Sequence, residues 1–501
     1  MDFKSPTLRL SSDSEESLSN FVTRDAQRTT TRARRHNILI ASLVLVVLSF
    51  VGIFAFLFWT PYSLRLSTPI SSPHDNSTSA IPASDVEEEQ NTAVPSVLDP
   101  WDPRLSLNGP PTSQFRENLK SDVKYITSWP GAGWTNDVMT YANMIYLGFI
   151  TDRVPVVPMF TPSHVNIGAA NPVRPIAFGD VFDVPLMRKL TGKAILEWRE
   201  VKDAESEDVD EIGCWNIWES VQYREHAPRG SAAPDHLKLD ISYTKTPPWI
   251  KLIPDFEHDS HTTFWSLARL AFPQALHEDL GTPLPSPLHG VSRPPDAQMM
   301  CYDYMYYVCA QQPYEYETDY SPAWRYVAQY MHWVPSLQNL ANVYLNRAFG
   351  VPEDGPTPPY IAIHVRHYDF ADQCSVPLDE CFASISVIAR RVREVQDQIQ
   401  AEKGIMVNHI IMTSDEKDEA WWQEVADQNW STPDHSKTKE LYGNWHPVLI
   451  DAVIQSGGIG FVGTWGSTMS IMAKRRVEAW QGGITRQNQH SGDNWTITYN
   501  A

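Results

Sequence analysis

Residues 360–369 read YIAIHVRHYD, an apolar run that passes into His364, Arg366, His367 and Asp369. A short stretch rich in β-branched and aromatic residues, entered from the prolines at 358 and 359, predicts a buried strand with polar groups at its carboxyl end. Working outward, 378–402 has helical spacing, 408–413 (NHIIMT) reads as a second strand, and 440–456 contains another helix. A third strand at 459–463 (IGFVG) is followed by a helix over 467–480. Such alternation predicts an α/β fold with a parallel sheet covered on both faces. Upstream, 124–129 (KYITSW) reads as a strand, 130–135 as a glycine-bearing turn, 136–152 as a helix and 154–158 as a strand. The middle, about 200–320, is rich in Pro, Trp and Tyr, and its weak periodicity predicts irregular loops with short helices.

In open parallel sheets ligands bind beyond the carboxyl ends of the strands, near helix N-termini. Three polar clusters stand at those ends: His364 to Asp369; Thr413, Ser414, Asp415 and Glu416; and Gly466, Ser467 and Thr468. Taken singly, each has an ordinary reading as a surface ion pair or a helix cap. Together they supply a cation, a carboxylate and a hydroxyl-bearing helix start, the set a nucleoside diphosphate needs.

The chain has 501 residues, with 40 Lys+Arg against 60 Asp+Glu, a net charge of −20 that disfavours nucleic acid as partner. A hydrophobic fraction of 42% with 18 Trp excludes a disordered chain, and five Cys without a CxxC pair exclude a zinc-ribbon or disulfide scaffold. Ile38 to Trp59 is uncharged over 22 residues. At about 1.5 Å per residue it reaches about 33 Å, enough to cross a bilayer. Arg24, Arg28, Arg32, Arg34 and Arg35 precede it, so the N-terminus is expected in the cytosol and the remainder on the luminal side. The expected layout is a cytosolic tail (1–36), a single anchor (37–59), a Pro/Ser-rich stem (60–118) and two folded domains (119–345 and 346–501) in a type II protein of the Golgi or ER membrane. Asn76, Asn429 and Asn494 open N-x-Ser/Thr sequons on the side where glycosylation occurs. The same side permits disulfides among Cys214, Cys301, Cys309, Cys374 and Cys381, with at least one thiol left over.

His364-x-Arg366-x-x-Asp369 resembles the H-x-R-x-x-D motif of the protein O-fucosyltransferase and α1,6-fucosyltransferase superfamily. Gly463-Thr-Trp-Gly-Ser467-Thr468-Met-Ser470, with Lys474, Arg475 and Arg476 behind it, is similar to the late serine-rich signature of that family. Thr413-Ser414-Asp415, the turn Pro130-Gly-Ala-Gly133-Trp134-Thr-Asn136 and the stretch Phe178-Gly-Asp-Val-Phe182-Asp183-Val184 resemble three further family motifs, in the family's order. The resemblance implies a GT-B fold, two facing Rossmann-like domains with the nucleotide held mainly by the second. It also implies inverting, metal-independent transfer of L-fucose from GDP-fucose to a protein or glycan hydroxyl, with no further cofactor. Carried over residue by residue, Arg366 meets the β-phosphate, His364 lies beside the nucleotide, and Asp415 meets the guanine. Ser467 and Thr468 hold the phosphates, while Asn136 and Trp134 reach the donor from the first domain. Some relatives carry a glutamate base in the glycine-rich turn, where this chain has Ala132. Asp137 and Asp369 stand as substitutes, Asp369 equally as an orienting partner of Arg366.

Other readings are open. Asp208-Val209-Asp210 fits a D-x-D metal pattern but lies in the charge run DAESEDVDE, better read as a solvated loop. His258 and His261 lack a third ligand in sequence. The tyrosine-rich stretch 302–320 either lines an acceptor groove or packs in the core. A luminal sugar- or nucleotide-binding receptor that has lost turnover, or a transferase using another nucleotide sugar, fits the same motifs.

Overall fold

The computed structural model describes residues 98–488 apart from 166–171, 255, 273–279, 319 and 375. The expected anchor, residues 60–97 of the expected stem, and the sequons at Asn76 and Asn494 lie outside the described residues. No helix among the described residues is long and apolar enough to cross a membrane.

The first sheet is built from β1 (Tyr125–Ser128), β2 (Val154–Val157), β3 (Leu196–Glu197), β4 (Asp210–Asn216) and β5 (Leu239–Lys245). After the short β6 (Thr262–Thr263) comes its sixth strand, β7 (Met299–Tyr302); β8 (Val308–Cys309) pairs with β6 as a separate ribbon. The order is β3-β2-β1-β7-β4-β5, and every pairing is parallel. Helix α1 (Trp134–Ile150) makes the crossover from β1 to β2, as the sequence predicts. It is buried almost all round, and its buried polar residues Asp137 and Asn143 are hydrogen-bonded to backbone groups of other segments.

The second sheet holds β9 (Tyr360–Val365), β10 (His409–Ser414), β11 (Gly460–Thr464) and β12 (Ile484–Asn488) in the order β10-β9-β11-β12, again all parallel. Around it lie α2 (Pro335–Phe349), α3 (Ile385–Lys403), α4 (His446–Gly457) and α5 (Thr468–Gln481). One apolar core runs without a break from Ile126 and Val138 through Trp333 to Ile471 and Val477, so the two sheets share packing.

Three expectations are corrected. The stretch 200–320 is not irregular, because it supplies β4, β5 and β7, half of the first sheet. β4 and β5 carry polar residues that find partners outside their own strands. Asp210 meets Lys202, Asp240 accepts from Ser286, Leu288 and His289, and Ser242 donates to Val291 O. An apolar pattern therefore never forms in the sequence, although both strands are buried.

The expected stem ends early. Phe115 is fully buried against Trp198, and the Asn118 amide donates to Glu200 O and Val201 O, so residues ahead of 118 belong to the folded unit. The helix expected over 378–402 is in two pieces. A first turn, Leu378–Cys381, is tied by the Cys374–Cys381 disulfide, and Phe382 then leaves helical geometry to stack on His367 at 4.2 Å. The second disulfide joins Cys214 to Cys301 on the neighbouring strands β4 and β7, leaving Cys309 as a buried thiol.

Candidate active site

The carboxyl ends of β9, β10 and β11 come together as expected. Thr464, the last residue of β11, receives the Arg366 N–H on its Oγ1 at 3.0 Å and donates to His364 O at 3.3 Å. The exit of β9 is thereby pinned to β11. His367 N–H donates to Asp415 Oδ1 at 2.8 Å, which pins the same exit to β10.

Arg366 is held from two sides. Its Nε lies 2.8 Å from Asp369 Oδ1 and its Nη1 2.8 Å from Asp415 Oδ2, and the side chain remains 35% exposed. Two carboxylates on one planar guanidinium fix its direction, and Nη2 is left without a partner among the described residues. The sequence brought Arg366 and Asp415 to this place, but Asp415 here grips the arginine and the His367 backbone.

His364 is buried, with Nδ1 2.7 Å from Ser470 Oγ on α5. Ser470 Oγ also accepts the Thr464 N–H at 3.0 Å and keeps a second lone pair and its own proton, so it can meet either neutral tautomer of the ring. Burial, aided by the nearby Arg366 charge, pushes the His364 pKa down to about 3, so the ring is neutral. Gly463 permits this packing, because a Cβ there would stand 2.8 Å from Ser470 Cβ.

The starts of α1 and α5 meet. Thr135 Oγ1 and Thr468 Oγ1 lie 2.7 Å apart, an interaction between motifs 333 residues distant that sequence reading missed. Ser467 is buried at the N-cap of α5, preceded by Gly466 in the left-handed region at φ 76°, which swings the chain from strand to helix. Neighbouring Asn136 is half-buried on the first turn of α1. Backbone N–H groups at both helix starts, His364, and the Arg366 Nη2 form a donor-rich edge suited to an anion.

Two residues expected at the site serve elsewhere. Trp134 is turned inward, stacked on Phe182 and Trp333 with ring centroids 6.3 and 6.0 Å away. Its indole anchors the helix start and does not face the ligand edge. Asp137 is buried beneath the glycine-rich turn, its Oδ1 accepting the N–H of Gly131 at 2.9 Å and of Ala132 at 3.0 Å. Burial pushes its pKa up to about 8, against the pull of those N–H groups and of Arg229, which itself holds Gly131 O.

The Phe178–Val184 motif is structural. Phe178 and Phe182 join the same aromatic cluster, and Asp183 caps the following helix through Leu186 N at 2.9 Å. Arg476 also enters this cluster, fully desolvated, 4.3 Å from the Trp333 ring centre, with its Nε and Nη2 unpaired.

The D-x-D segment is not a solvated loop throughout. Asp210 is buried at the start of β4, and the Lys202 ammonium sits 2.7 Å from its Oδ2, where a metal reading would need the cation. His258 packs against Tyr223 and Phe256, and His261 against Tyr307 and Tyr314. Among the described residues no group of three His, Cys, Asp or Glu side chains is arranged to hold a metal ion. Asn429, exposed with φ 57° at the end of the helix Glu419–Asp427, presents its sequon on the surface.

No family model matches the chain, and no curated protein matches it. Among solved structures it is similar to POFUT1 in complex with GDP-fucose, at 14% identity over 73% of this chain and 98% of the other, TM-score 0.44. It is also similar to the fucosyltransferase NodZ from Bradyrhizobium, at 12% identity over 71% of this chain and 93% of the other, TM-score 0.37.

Proposed function

We propose that this chain is an inverting glycosyltransferase of GT-B type that moves L-fucose from GDP-fucose to a hydroxyl of a protein or glycan. The observation that carries the reading is Arg366, fixed by Asp369 and Asp415 at the meeting of three strand ends, with Nη2 unpartnered among the described residues. The motif resemblance, not the geometry, supplies the choice of GDP and fucose.

In this reading the diphosphate lies along the start of α5, receiving the backbone N–H of Thr468 and the hydroxyls of Ser467 and Thr468. As the bond from the sugar C1 to the β-phosphate oxygen breaks, its electron pair stays on the phosphate. A guanidinium held in place needs no reorganisation to meet that charge, which is the electrostatic task a metal performs elsewhere. His364, neutral, adds no charge. Asp369 and Asp415 are positioning residues for Arg366, and Asn136 and Thr135 close the donor from the α1 side. The proposal includes membrane anchoring through 38–59, with the folded part in the Golgi or ER lumen. The two disulfides and the exposed sequon at Asn429 fit that placement.

The test is thermal unfolding of the full chain with GDP, UDP or ADP, followed by transfer assays with GDP-fucose. Preferential stabilisation by GDP, about 2.7 kcal/mol at a hundredfold excess over Kd, is expected. Preference for UDP overturns the donor assignment. GDP binding without turnover on any acceptor favours a luminal nucleotide-binding receptor, for which the absence of a glutamate at Ala132 speaks.

A further inference from the structure

A cavity of about 340 Å³ lies beside the start of α5. Met139 of α1 and Ile471 of α5 line it, from the two helices whose first turns meet at Thr135 and Thr468. Trp465 and Gly466, the residues just ahead of Ser467, and Tyr306, Tyr314, Tyr316 and Glu317 line it too. We propose that this cavity receives the end of a glycan acceptor and that Glu317 removes the proton from its attacking hydroxyl. The inference rests on the donor reading above and supplies the base that Ala132 leaves missing.

Three observations separate Glu317 from the other carboxylates near the site. Asp369 is engaged with Arg366, and Asp137 with the backbone of the glycine-rich turn. Glu315, in the same short helix as Glu317 and also lining the cavity, is spent on the N–H groups of Ala310, Gln311 and Gln312. Glu317 alone among these four has neither a hydrogen bond nor an ion pair on its carboxylate among the described residues. Its backbone is nevertheless fixed, because Arg475 of α5 donates to Tyr316 O at 2.8 Å and to Glu317 O at 2.6 Å. The guanidinium that ties the segment down therefore sits on the same helix whose start faces the donor.

The walls favour a sugar. Tyr314 and Trp465 are exposed at 55% and 37%, and their ring faces suit the C–H face of a pyranose while carboxylate and phenol groups take its hydroxyls. The volume is at the small end of the roughly 300–1,000 Å³ of small-molecule sites, room for a terminal sugar or two and not for a folded domain.

The step balances. The acceptor oxygen forms the new bond to C1 as its O–H proton passes to a Glu317 oxygen, and the C1–O bond to GDP breaks with its electron pair on the phosphate. Burial raises the Glu317 pKa, against the pull of Lys474 and Arg475 on α5; His261, Glu315 and the three tyrosines complete the titratable lining. A base works ionised, so turnover falls as pH drops through that raised value.

The experiment uses the full chain with GDP-fucose and, as probes, methyl glycosides of hexoses and N-acetylhexosamines beside Ser/Thr peptides. Glu317→Gln should lower kcat on a glycoside by about 10²-fold or more and abolish the acidic limb, with the GDP Kd unchanged and Glu317→Asp partly active. Trp465→Ala should raise KM for the glycoside. Full kcat in Glu317→Gln, with GDP binding intact, overturns the base assignment and leaves the donor reading standing. Transfer to peptides alone, indifferent to Trp465→Ala, overturns the glycan assignment. A wild-type chain that binds no GDP fails the donor reading, and this inference with it.

Discussion

His364 offers a quantitative test of how the site is built. Its ring is buried and neutral, with a pKa pushed from 6.5 to about 3 by desolvation and by Arg366. In the unfolded chain the same ring titrates near 6.5. Between those values the unfolded state binds a proton that the native state refuses, so stability falls as pH falls. The contribution is complete above pH 6.5 and is lost progressively below it. One pH unit is worth about 1.4 kcal/mol, so moving from pH 7.5 to pH 5 should cost about 2 kcal/mol through this residue alone.

The perturbation is His364→Gln, which keeps a polar side chain opposite Ser470 and removes the titration. Urea unfolding of both proteins, followed by tryptophan fluorescence at the two pH values, isolates the term by subtraction. His261, His332 and His446 are shifted in the same direction by burial, but both proteins contain them, so their effect cancels. The variant is expected to be less stable at pH 7.5 and to lose about 2 kcal/mol less than wild type on acidification. An equal acid loss in the two proteins refutes the buried neutral histidine, and with it the claim that this ring brings no charge to the ligand edge.

Other consequences are open to direct measurement. Arg366→Lys should reduce kcat by about 10²-fold with an unchanged far-UV spectrum, because an ammonium cannot span Asp369, Asp415 and a phosphate at once; near-normal turnover removes the arginine from the mechanism. If Arg366 does the work of a cation, EDTA should leave transfer unaffected, and recovery by manganese after a chelator-induced loss would restore a metal reading. Arg476→Met should not lower the urea midpoint, since the guanidinium is desolvated without an anion and an apolar chain of similar volume replaces it; a loss of several kcal/mol would show that the aromatic cage holds the charge productively. Replacing Cys214 and Cys301 by Ala should cost about 4–5 kcal/mol, the closure entropy of a bridge spanning 87 residues, read as a shift in unfolding midpoint.

The second sheet as far as β11, the crossover unit β1–α1–β2, and the placing of His364, Arg366, Asp415, Ser467 and Thr468 at strand ends can be read from residue order. Those elements are legible because local periodicity and strand-end chemistry lie within a few residues of each other. What each polar group is for emerges only on folding. Asp415 and Asp369 turn to Arg366, Asp137 turns under the glycine-rich turn, and Trp134 turns into the core. A side chain's direction depends on which groups the fold sets around it, which spacing along the chain does not encode. β4 and β5 stayed hidden for the same reason, their buried charges being satisfied by Lys202, Ser286 and His289 from other segments. β12 (ITRQN) has no apolar pattern at all and is a strand because β11 offers it an edge. Glu317 stands out only once folding has occupied every competing carboxylate around it and left that one facing a cavity.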